Sequence, residues 1–159
     1  MKWVVNASPV ILLAKIGQAD LLLRLPERTA IPQSAAAEIK AAPPDDPGRR
    51  WLENLPPGIV QADQPLPIEI ASWDLGAGES AVLAWATADR SWEAVQDDRA
   101  ARRCAEVMKV SVTGSLGVIL VAKQRGLIPR AQPLISALKS AGAHISDHLI
   151  QSALQLVGE

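Results

Sequence analysis

The sequence predicts an α/β protein of three layers, a central parallel β-sheet between two layers of helices. Three observations predict it. Short β-rich runs alternate with helical stretches of about ten residues, the spacing that parallel strands need for right-handed crossovers. Glycine and proline mark the boundaries, as at Gly17, Pro26, Pro32 and Gly126. The 159 residues are 48% apolar, enough for one domain, 1–159, with a sizeable core.

The elements follow in order. Lys2–Val5 reads as a strand, and Ser8-Pro9 as an N-cap and first-turn proline opening a helix through Ile16. A second apolar stretch runs over Ala19–Leu25. Thr29-Ala30-Ile31 is a brief strand, and Ser34–Ala42 an alanine-rich helix carrying Glu38. Pro43–Gly48 fits neither helix nor central strand and is a loop. Arg49–Leu55 makes one or two helical turns, and Ile59-Val60 a short strand within the irregular Pro56–Pro67. After Gly76-Ala77-Gly78, residues Ala81, Val82, Ala84, Trp85 and Ala88 share one side of a helix. Trp92–Gln96 is a strand, Arg99–Met108 a helix, Val110–Val112 a strand ending at Thr113-Gly114, and Ser115–Gln124 a helix. Two tail helices, Ala131–Ser140 and Asp147–Leu156, complete the chain, the last with Ser146 as N-cap.

Composition excludes several classes of function. The net charge of −1 is unlike proteins that grip nucleic acid by charge alone, so such a partner must meet a local patch. Tyr and Phe are absent, which removes the usual base-stacking platforms. No apolar run reaches the roughly 18 residues that span a bilayer, and the N-terminus reads as neither signal nor transit peptide. A lone Cys104 cannot form an internal disulfide and reads as core, so a reducing cytoplasm is the expected location.

Acidic residues fall at strand ends and on helices: Asp97-Asp98 after Trp92–Gln96, Glu79 at a helix start and Glu38 on another helix. Singly, each reads as a solvated or capping residue, Asp98 for the helix that follows it and Glu79 for a helix N-terminus. Together they read as hard-oxygen ligands for Mg²⁺ or Mn²⁺, an ion that activates water for attack on a phosphodiester. Asn6, at the end of the first strand, offers a carbonyl oxygen without charge. Ser8 and Thr113 are hydroxyls placed to support such a site. Arg99, Arg102 and Arg103 share a helix face beside the acidic pair, where a phosphate backbone could run, and Lys15 is a weaker candidate.

Other patterns compete. Gly76-Ala77-Gly78-Glu79-Ser80-Ala81 matches a dinucleotide fingerprint, with Asp97 and Asp98 about 20 residues on. Its context is poor, because Ile68–Leu75 makes a weak strand and Glu79 would face a pyrophosphate. His144 and His148 lack a third zinc ligand.

The ordered set Val4-Val5-Asn6-Ala7-Ser8-Pro9, Ile31-Pro32, Glu38, Leu75-Gly76-Ala77-Gly78-Glu79-Ser80-Ala81, Asp97-Asp98-Arg99 with Arg102, and Val112–Gly117 resembles PIN-domain proteins. Within them it is similar to a prokaryotic subgroup close to VapC-type toxins of toxin–antitoxin pairs, and the likeness covers nearly the whole chain. The resemblance implies a Mg²⁺- or Mn²⁺-dependent ribonuclease, often a homodimer, with a small antitoxin protein as partner. It maps four acidic positions onto Asn6, Glu38, Glu79 and one of Asp97 and Asp98, with Asp98 slightly favoured because it directly precedes its helix; Ser8 matches the family's small hydroxyl residue. Asn6 departs from the family's Asp, and Ala7 is a second departure. The implied outcomes are a nuclease weakened at Asn6, or a degenerate PIN-fold module that binds RNA or protein without cleaving. The apolar tail helices serve either the core or a dimer interface.

Overall fold

The structure, a computed structural model, describes residues 1–159. Five parallel strands form one sheet in the order β3-β2-β1-β4-β5, from β1 (Lys2–Val5), β2 (Arg28–Pro32), β3 (Val60–Gln61), β4 (Trp92–Val95) and β5 (Val112–Thr113). Alternation along each strand divides the core in two. Trp3, Val5, Ile31 and Val95 face one layer, built on α1 (Ala7–Lys15), α2 (Leu21–Arg24), α3 (Gln33–Lys40), α4 (Pro47–Glu53), α8 (Ser115–Gln124) and α9 (Gln132–Ser140). Val4, Ala30 and Ala94 face the other, built on α5 (Ile68–Ala71), α6 (Ala77–Ala88) and α7 (Arg99–Val107). Strands buried on both faces are continuous apolar runs for this reason, and the three-layer architecture is as the sequence predicts. No helix is long and apolar enough to cross a membrane.

The strand order reverses its direction of growth between β1 and β4. In open parallel sheets, ligands sit beyond the carboxyl ends of the strands at such a switch point. Asn6 and Gln96 are the residues that follow β1 and β4 there, with Asp97 next.

Several local expectations change. The first helix begins at Ala7 with Asn6 as N-cap, so Ser8 lies inside the first turn rather than capping it. Asn6 has extended backbone (φ −84°, ψ 170°), because it still donates its N–H to Val95 in the sheet at 3.0 Å. The expected loop at Pro43–Gly48 yields to helix at Pro47, since Asp46 caps α4 by accepting from Arg49 N and proline suits the first helical position. Ile68–Leu75 contains no strand: it holds the helical turn α5 and a bend in which Asp74 has φ 53°. The Gly76–Ala81 fingerprint therefore lacks its leading strand, which removes the dinucleotide reading. The final strand is Val112–Thr113, two residues later than Val110, because Lys109 at φ 57° turns the chain out of α7 first. α10 (Asp147–Leu156) lies where its apolar spacing indicates, with Ser146 accepting from Leu149 N at 3.1 Å.

Candidate active site

A cleft of about 710 Å³ opens over the carboxyl ends of β4 and β5. Its polar wall holds Ser8, Glu38, Asp97, Arg102, Thr113 and Ser115; its apolar wall comes from α1, α8 and the α9–α10 turn.

Asp97 is the best-anchored acid in the cleft. It follows Gln96, whose N–H still bonds Thr113 in the sheet at 2.9 Å, so its position is set by the ladder. Its Oδ1 accepts from Ser115 N at 2.7 Å, and its Oδ2 accepts from Ser115 Oγ at 2.6 Å and Ser8 Oγ at 3.3 Å. A carboxylate at the N-terminus of α8 gains from the unpaired N–H groups and the helix dipole. Asp98 does something else. It is exposed, and its Oδ2 accepts from Ala101 N at 2.9 Å as the N-cap of α7. Of the two, the structure turns Asp97 into the cleft and Asp98 onto its own helix, the reverse of the preference drawn from Asp98's place before the helix.

Asn6 and Glu38 meet at Gly78. The position a Cβ would occupy on Gly78 lies 2.6 Å from Asn6 Oδ1 and 2.8 Å from Glu38 Oε1. Glu38 Oε1 also accepts from Gly78 N at 3.2 Å, so a residue of α3 satisfies the first turn of α6. Asn6 is 2% exposed and its Oδ1 has no hydrogen-bond partner. Only glycine lets the α6 backbone approach this closely. Gly114 is the counterpart on the other side: a Cβ there would meet Asp97 Oδ1 at 2.8 Å and Arg102 Nη1 at 2.9 Å.

Glu79 is not brought to this meeting. Its Oε2 folds back to within 2.5 Å of the position of a Cβ on Gly76, and it does not line the cleft. Accordingly, no three His, Cys, Asp or Glu side chains gather closely enough to hold an ion by themselves. Among the basic candidates, Arg102 alone lines the cleft, donating Nη1 to Gln96 O at 3.2 Å. Arg99 and Arg103 are exposed on α7, and Lys15 lies in the last turn of α1, roughly 10 Å along the axis from Ser8. Thr113 lines the cleft with its Oγ1 packed against Gly117.

Three participants escape a reading of the sequence. Ser115 gives Asp97 two of its hydrogen bonds, a role signalled only by a hydroxyl at the first position after Gly114. Gln96 reads as the last residue of an apolar strand, yet it buries a whole amide. His144, set aside as an incomplete zinc ligand, lines the far wall of the cleft.

A family model described as PIN domain matches residues 2–159. The chain belongs to the PIN-domain family. No curated protein and no solved structure matches it. The PIN domain is a nuclease-type fold, the family points to RNA as the substrate class, and PIN domains generally use divalent metals.

The residues of this PIN domain fit a hard cation. Asn6 Oδ1 is a buried oxygen without a partner, beside a carboxylate oxygen of Glu38, and a second carboxylate, Asp97, lines the same cleft. Such oxygen donors suit Mg²⁺ and Mn²⁺ rather than softer ions. The set is poor in charge, with two carboxylates in the cleft, one neutral amide and one guanidinium.

Proposed function

We propose that this PIN domain is a Mg²⁺- or Mn²⁺-dependent endoribonuclease of the VapC-like type, the toxin component of a toxin–antitoxin pair, with activity reduced by Asn6. The observation that carries the reading is the pairing of the orphaned Asn6 Oδ1 with Glu38 Oε1 at Gly78. Both oxygens crowd the same face of Gly78; Glu38 Oε1 takes the Gly78 N–H, whereas Asn6 Oδ1 has no donor, and a cation there would satisfy it. Asn6, Glu38 and Asp97 would hold the ion, which when bound lowers the pKa of a water and draws charge from a phosphodiester.

The chain's own residues do the rest. Ser8 and Ser115 hold the Asp97 carboxylate in one orientation through three hydrogen bonds. Arg102, fixed by Gln96 O, presents a guanidinium beside Asp97 where a phosphate can be gripped. Arg99 and Arg103 extend that cationic face along α7 for the neighbouring backbone of a single strand. Asn6 keeps the oxygen of the expected Asp but not its charge, which weakens both ion binding and water activation.

A small antitoxin protein and a homodimer belong to the same reading. Leu149 and Leu156 of α10, 48% and 74% exposed, support a face for a second chain.

Cleavage of single-stranded RNA in Mn²⁺ tests the proposal. The expected order is Asn6→Asp above wild type, with Glu38→Gln and Asp97→Asn inactive. Equal rates in all four sink it. The alternative is a binding module without catalysis, favoured by Glu79 turning away from the cleft. It predicts RNA or protein capture and no cleavage even in Asn6→Asp.

A further inference from the structure

Gln96 is fully buried, and neither its Oε1 nor its Nε2 has a hydrogen-bond partner. Its backbone is fully engaged: N–H to Thr113 O at 2.9 Å, and C=O from Arg102 Nη1 at 3.2 Å. An amide removed from water and left unpaired opposes folding, so its retention in an apolar layer calls for a partner.

The register says where that partner belongs. β1 pairs with β4 as Val4↔Ala94 and Val5↔Val95, and Asn6 N continues the ladder to Val95 O at 3.0 Å. Asn6 and Gln96 are therefore lateral neighbours at the switch point, on strands about 4.8 Å apart. Val5 and Val95 face the α1 layer, whereas Val4 and Ala94 face the α6–α7 layer. Alternation sends Asn6 and Gln96 to the α6–α7 side, and Asn6 Oδ1 indeed lies against Gly78 of α6. Two buried amides thus occupy neighbouring strand positions on one face of the sheet, and three of their polar atoms are orphaned: Asn6 Oδ1, Gln96 Oε1 and Gln96 Nε2. The other orphaned buried side-chain atom, Thr87 Oγ1, belongs to the last turn of α6, at the far end from Gly78.

We propose that Gln96 Oε1 is an oxygen donor of the divalent-cation site, beside Asn6 Oδ1 and Glu38. The inference rests on the metal-dependent reading above. Gln96 offers a strong dipole without charge, and with Asn6 in place of an acid, a second amide oxygen restores part of the attraction that the site has lost. The cation is a hard one, since all three groups present oxygen.

The test is a calorimetric titration of Mn²⁺ into the metal-free protein, with thermal melts alongside, for wild type, Gln96→Met and Gln96→Glu, each also combined with Asn6→Asp. Gln96→Met keeps the volume and removes the amide. It should bind Mn²⁺ about tenfold more weakly, or worse, while its metal-free melting temperature rises. Gln96→Glu should bind Mn²⁺ more tightly than wild type, and it answers the question if the Met variant fails to fold. A Gln96→Met protein that melts lower without metal and binds Mn²⁺ as wild type does would overturn the proposal and leave the nuclease reading standing. If neither wild type nor Asn6→Asp takes up Mn²⁺, both fall together.

Discussion

Asp97 spans from the end of β4 to the start of α8, its two oxygens taking the N–H and the hydroxyl of Ser115 at 2.7 and 2.6 Å. One carboxylate thus ties the sheet to a helix and faces the cleft at the same time. Its neighbour Asp98 serves only α7 among the contacts it makes. Adjacent acids with opposite orientations make the most direct comparison available in this protein.

Asp97→Asn preserves the acceptor for Ser115 N and removes the charge, so the fold should survive while Mn²⁺-dependent cleavage drops by roughly a hundredfold or more. Asp98→Ala removes an N-cap and should lower stability by about 1 kcal/mol with cleavage retained. Urea unfolding and an RNA cleavage assay on the two variants check both halves. The opposite pattern, with Asp98→Ala inactive and Asp97→Asn active, would reassign the site.

Gly78→Ala places a methyl group 2.6 Å from Asn6 Oδ1 and 2.8 Å from Glu38 Oε1. Glu38 is exposed and can swing away, but Asn6 is buried and cannot. The expected loss is about 1–3 kcal/mol from overpacking, together with loss of any melting-temperature rise on adding Mn²⁺. Gly17→Ala makes a useful contrast. Its strain comes from φ 73° alone, with nothing within 4 Å of the added carbon, so it should lower stability and leave the Mn²⁺ response intact.

Glu159 anchors the tail by accepting from Ala131 N at 2.6 Å and Gln132 N at 3.1 Å, at the start of α9. The Ala131 N–H above all, then the Gln132 N–H and the cations of Lys123 and Arg130, hold its carboxyl below the ordinary 4.5. A lowered carboxyl in the folded state adds stability above its unfolded value and loses it as pH falls through the folded one. The protection of the α9 amides, relative to their intrinsic exchange rates at each pH, should therefore fall on acidification below about pH 4.5, and Glu159→Gln should be less protected at pH 7 with a weaker pH dependence. An unchanged profile in Glu159→Gln would assign the acid response to other carboxylates.

Cys104 is fully buried among Ala101, Ala105 and the α6 layer, and burial pushes its thiol up. The thiolate is the reactive form, so native protein should resist a thiol reagent at pH 8 and react at full rate only in denaturant. Rapid labelling of the native protein would show that α7 opens readily from the sheet.

Much of this protein is written in its local sequence. Apolar runs such as Trp3–Val5 and Ala94–Val95 are buried on both faces, which is the signature of parallel strands, and the cap at Ser146 marks its helix unaided. Positions at strand ends also announced where the cleft would open, because parallel sheets expose that edge. Other features needed the folded chain. Ser8 resembles an N-cap until the sheet's bond from Asn6 N to Val95 O holds Asn6 extended and moves the helix start two residues back. Asp97 and Asp98 are alike in sequence; Ser115, 18 residues away from Asp97, and the first turn of α7 send them in different directions. Gln96 passes for strand until its register with Asn6 sets two amides side by side. Local propensity acts over a few neighbouring residues, whereas the direction of a side chain at a strand end is set by partners that only chain crossover brings into reach.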